Sequence, residues 1–122
     1  MVFEHHETDC APVNTDKTVL CQIVADGMVG HVLWSYETAS DKVHHLSHFG
    51  PIGQGINARG AGELDALGNL TLTLHFEDLP SGHYRVYEYL WLSNKSYRIH
   101  AKEFGVGGAD TGRGYMVTYV RQ

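Results

Sequence analysis

Basic residues are scarce in this chain. Nine Lys and Arg stand against fourteen Asp and Glu, for a formal net charge of −5. The basic residues are scattered and form no stripe, which argues against nucleic-acid binding through phosphate neutralisation. Long apolar runs are missing too, and nothing approaches the ~20 residues of a membrane-spanning helix, so no membrane partner is expected. The first residues, M-V-F-E-H-H-E-T-D, lack a basic segment followed by an apolar one. They do not read as a secretory leader, which leaves the cytoplasm as the default expectation. Cysteine is limited to Cys10 and Cys21. Two cysteines are too few for a disulfide scaffold. Either they close one short N-terminal loop, or Cys21 is a small buried strand residue and Cys10 a free thiol.

The common catalytic signatures are also missing. There is no G-x-S-x-G, C-x-x-C or H-E-x-x-H. The glycine-rich stretch Gly105–Gly114 lacks a G-K-[ST] ending and leads into a strand, so it offers no helix N-terminus to a phosphate. No cofactor is expected.

What the chain does have is alternation. Asn69–Trp91 reads N-L-T-L-T-L-H-F, then E-D-L-P-S-G, then H-Y-R-V-Y-E-Y-L-W. Two alternating runs around a Pro/Gly turn spell a β-hairpin. Further strands are expected over 17–24, 31–37, 42–49, 97–104 and 115–121, with a short one leading into 63–65. The segment 50–62 is too glycine-rich for a helix and is expected to be a loop or bulge. Residues 1–16 read as a polar arm, and 17–122 as one β domain. With 43% apolar and 19% charged residues in 122, the chain can bury a core without staples. About eight strands at roughly 10–13-residue spacing predict an all-β antiparallel fold. A two-sheet sandwich is expected, with a closed calycin-like up-and-down β-barrel as the alternative.

Side chains on a strand alternate between faces. Leu70, Leu72, Leu74 and Phe76 share one face of their strand, opposite Thr71, Thr73 and His75. In the next strand Arg85, Tyr87, Tyr89 and Trp91 share a face, and Tyr84, Val86, Glu88, Leu90 and Leu92 the other. Both faces look apolar, so this strand is expected to be central and covered on both sides. The Arg85–Trp91 face is either a second core layer or an aromatic ligand platform, extended by Tyr115 and Tyr119. Glu88, placed among apolar neighbours, is a candidate general acid or base if buried, unless an ion pair with Arg98 or Arg121 satisfies it. Glu37, Glu63, Asp65 and Glu103 fall near strand ends and are expected at the surface. Among nine histidines the densest group is His44, His45 and His48. His44 and His48 share a face and are weighed as metal ligands with His5, His6, Asp9, Cys10 or His31, but no known ligand spacing is present.

The segment L-P-S-G-H-Y-R-V-Y-E-Y (Leu79–Tyr89) resembles the C-terminal β-sandwich domain of family 39 glycoside hydrolases, the β-xylosidases and α-L-iduronidases. Ser93–Tyr97, Lys102–Gly105 and Val32–Tyr36 are similar to flanking parts of that domain. The family's catalytic barrel has no counterpart here, so the resemblance implies a non-catalytic accessory module and no catalytic residue.

Three functions are compatible with these observations. The first is a module that binds a carbohydrate, or supports a partner protein, through Tyr87, Tyr89 and Trp91. The second is a small barrel around an apolar small molecule, with Glu88 as acid/base of a cyclase- or isomerase-like enzyme. The third is a stand-alone inhibitor or interaction protein, with a protein partner or as a homodimer.

Overall fold

A computed structural model describes residues 6–13, 15–51 and 54–120. Among these described residues nine strands follow one another: β1 (His6–Val13), β2 (Thr15–Ala25), β3 (Met28–Glu37), β4 (Lys42–Pro51), β5 (Ile56–Leu64), β6 (Leu70–Phe76), β7 (Tyr84–Ser93), β8 (Ser96–Phe104) and β9 (Asp110–Val120). All pair antiparallel in chain order within one sheet. A single 3₁₀ turn, Val106–Gly108, precedes β9. The tight links favour this meander. Asp26 and Gly27, at φ 40° and 81°, make the left-handed pair that a two-residue hairpin needs between β2 and β3.

The sheet curls into a half-barrel. Its inner face carries the core: Leu70, Leu72, Leu74, Tyr87 and Ala101, with Trp34, Val43, Phe76, Tyr89, Ile99 and Tyr115 packed against them. The alternation of β6 is realised, with Leu72 fully buried and Thr71 and His75 exposed. The expectation of two sheets and about eight strands differs from this single nine-stranded ladder. The up-and-down order matches the barrel alternative, but β1 and β9 are the free edges of the ladder.

Two stretches behave differently from their expectation. Residues 6–13 form β1 rather than an irregular arm. β1 is an edge strand, which tolerates Pro12, and Cys10 lies directly opposite Cys21 with their sulfurs bonded. β5 (residues 56–64) starts well inside the segment 50–62 read as a loop or bulge and runs into the short strand expected near 63–65, at the middle of the sheet. Its inward positions are Ala58, Gly60 and Gly62, paired to Phe76, Leu74 and Leu72. A Cβ at Gly60 would stand 1.8 Å from the Thr73 carbonyl oxygen, and one at Gly62 2.1 Å from that of Thr71. Glycine here is the mark of a bend, where β5 and β6 approach too closely for side chains.

Candidate functional site

The register lays inward side chains in rows across the strands. One row runs Trp34, His45, Gly60, Leu74, Arg85, Glu103 from β3 to β8. The next runs Val43, Gly62, Leu72, Tyr87, Ala101, Tyr115 from β4 to β9. Curling turns these rows into a trough of about 370 Å³, lined by Val32, His45, Leu74, Arg85, Tyr87, Tyr89, Tyr115, Val117 and Tyr119 among others. That volume suits a small ligand.

Three of the expected platform residues, Arg85, Tyr87 and Tyr89 of β7, therefore meet the other two, Tyr115 and Tyr119 of β9. Tyr87 and Tyr115 have ring centroids 6.3 Å apart, edge to face. Tyr89 meets Trp34 edge-on at 5.9 Å. Arg85 stacks over the Phe76 ring, 4.7 Å from its centroid. Burial first, and the neighbouring tyrosines second, push the Tyr89 and Tyr115 phenols well above their ordinary range. Both remain protonated, and so able to donate, at any physiological pH. Trp91 is different: it stands at the rim and is 59% exposed. Its indole N–H donates to the Gly68 carbonyl and its amide to the Asn69 side chain, while its ring lies 5.5 Å from Tyr97. Tyr97 in turn stacks on Tyr119 at 5.1 Å.

His45 is the residue that sequence reasoning passed over, having been read only as one of a cluster. It is 7% exposed, and the Trp34 ring meets it edge-on at 4.6 Å. Neither ring nitrogen has a hydrogen-bond partner among the described residues. Burial lowers its pKa to about 4, so the imidazole is neutral at pH 7. A neutral imidazole offers one donor and one acceptor. Leaving either unmet in a buried place costs about 1–3 kcal/mol. The signal was available in parity: His45 pairs with Trp34, whereas His44 and His48 point the other way.

Glu103 corrects an expectation as well. It is 2% exposed, not a surface residue, because it follows Ile99 and Ala101 on the inward side of β8. His83 Nδ1 lies 3.4 Å from its carboxylate, and Arg85 Nε and Arg113 Nη1 each lie 3.9 Å away.

Glu88 points outward and is exposed, paired in register with Thr71 and His100. The premise that two layers cover its strand is not met, since a single sheet leaves the convex side open. Arg121, one partner considered for it, lies outside the described residues. His44 and His48 are also on the outer face and exposed. His44 Nε2 is 2.9 Å from Glu37, and His48 Nδ1 is 2.7 Å from Asn57. His31 pairs in register with His48, but no group of three metal-ligating side chains forms among the described residues. Cys10 is held in its disulfide, and His5 and the His6 side chain lie outside the described residues.

A second groove of about 780 Å³ lies around outward residues Leu20, Leu33, Leu46, His31 and Arg59. It lacks the enclosing aromatic wall of the trough.

Comparison with protein-family models, with curated proteins and with solved structures finds no match to this chain.

Proposed function

We infer that this protein binds a small, flat, largely apolar molecule in the trough of its half-barrel. The observation that carries this reading is the convergence of Tyr87, Tyr89, Tyr115 and Tyr119 with Val32 and Val117 around one concavity of about 370 Å³. Apolar walls with a few placed polar groups are the usual make-up of a ligand site. The up-and-down strand order supports treating the fold as a calycin-like cup, left open between β1 and β9. A cyclase- or isomerase-like role for Glu88 has no support, because its carboxylate lies on the opposite face of the sheet from the trough.

The test uses 1-anilinonaphthalene-8-sulfonate, whose fluorescence rises in apolar sites. Val117→Trp fills the trough, and Leu46→Glu alters the outer groove. Dye binding lost in the first and kept in the second supports the trough. The reverse result assigns binding to the outer face and removes the reading.

Carbohydrate binding keeps one observation in its favour, the exposed Trp91 ring held at the rim beside the stacked Tyr97 and Tyr119. A glycan array decides it: sugar binding that disappears in Trp91→Ala would move the site from trough to rim.

A further inference from the structure

His45 occupies a particular place in the trough. On one side the Trp34 ring closes over it, and on the other its row neighbour is Gly60, which has no side chain. The imidazole lines the trough with both ring nitrogens shielded from water, its donor and its acceptor unused by the described residues. Arg85, the cation of the lining, is already engaged by Phe76 beneath it and Glu103 beside it. An uncharged ligand needs no counter-ion, whereas a carboxylate would have to compete with Glu103 for Arg85.

We propose that His45 is the polar anchor of the trough, and that the ligand is an uncharged aromatic or polycyclic molecule whose hydroxyl hydrogen-bonds the His45 imidazole while its ring body lies among Tyr87, Tyr89 and Tyr115. This rests on the trough being the binding site and adds the chemical class of the ligand. A hydroxyl suits either tautomer, since it can donate to a bare ring nitrogen or accept from a protonated one.

Displacement of the naphthalene dye by three matched probes tests it at pH 7: 2-naphthol, 2-methylnaphthalene and 2-naphthoate. The hydroxyl probe should displace at a concentration about tenfold lower than its methyl isostere, the size of one buried hydrogen bond. His45→Leu should bring the two within about twofold while 2-methylnaphthalene still binds, and His45→Gln should restore part of the preference. The ¹⁵N resonances of the His45 ring should shift with 2-naphthol and not with 2-methylnaphthalene. Equal binding of hydroxyl and methyl probes, or an unchanged preference in His45→Leu, overturns the anchor while leaving the trough as a site. Tightest binding by 2-naphthoate, lost in Arg85→Met, transfers the anchor to Arg85 and overturns it equally. A dye that never enters the trough overturns both the anchor and the reading beneath it.

Discussion

The rings of Trp34 and Tyr89 meet edge-on, 5.9 Å between centroids, although β4, β5 and β6 separate their strands. In a flat sheet, strands four places apart are roughly 19 Å apart. The contact is thus a measure of the curl. An edge-on aromatic pair contributes about 0.5–1.5 kcal/mol beyond its buried area. A double-mutant cycle with Trp34→Leu and Tyr89→Leu, followed by urea unfolding, should return a coupling in that range. Strictly additive effects would show that the two walls do not touch in solution.

Cys10 and Cys21 tie the edge strand β1 to β2 at directly opposed positions. The loop they enclose is short, with a sequence separation of 11. Its closure removes about 3 kcal/mol of chain entropy from the unfolded state. Cys10→Ser with Cys21→Ser should lower stability by about that amount and speed amide exchange over residues 8–11. An unchanged unfolding midpoint in both oxidised and doubly substituted protein would contradict the tie.

Folding should depend on pH through His45. In the folded chain burial holds its pKa near 4, against 6.5 for an ordinary histidine. Between those values the unfolded chain binds more protons, so stability rises with pH across the window. Its contribution is fully present above about pH 6.5 and is lost as pH falls toward about 4, a change of order 3 kcal/mol. Urea unfolding at pH 7, 5.5 and 4.5 should show this loss in the native chain and a much smaller one in His45→Leu. Identical pH profiles for the two proteins would mean that the imidazole is solvated rather than buried.

How far the sequence reveals this arrangement depends on which interaction decides each element. Leu70, Leu72, Leu74 and Phe76 announce their strand and its buried face, because local alternation alone sets them. Arg85, Tyr87, Tyr89 and Trp91 are legible as one face for the same reason. Whether that face lines a trough or a second core layer depends on curvature, which is a property of the whole sheet. Glu88 shows the consequence: an apolar-looking outer face suggests a covering layer, and a single sheet provides none. The glycines of β5 mislead in the opposite direction. Their composition signals a loop, yet the closeness of β6 is what requires them. Parity within β4 and β8 puts His45 and Glu103 on the inward side, but how deeply they are buried depends on the curl of the whole sheet, which no single strand discloses.

Gly60 provides the sharpest test of that bend. Its Cβ would fall 1.8 Å from a backbone carbonyl oxygen, which cannot swing aside as the end of a side chain can. Gly60→Ala should therefore force β5 and β6 apart and cost about 3 kcal/mol or more, at the large end for one added methyl group. Gly27→Ala is the proper control. That residue has φ 81° and nothing within 4 Å of a would-be Cβ, so only backbone strain opposes the change. The cost there should be about 1 kcal/mol. Separating β5 from β6 also widens the trough, so Gly60→Ala should weaken dye binding even below its unfolding temperature, whereas Gly27→Ala should not. If thermal unfolding ranks the two substitutions equally, the tight approach of β5 to β6 is not what shapes the half-barrel.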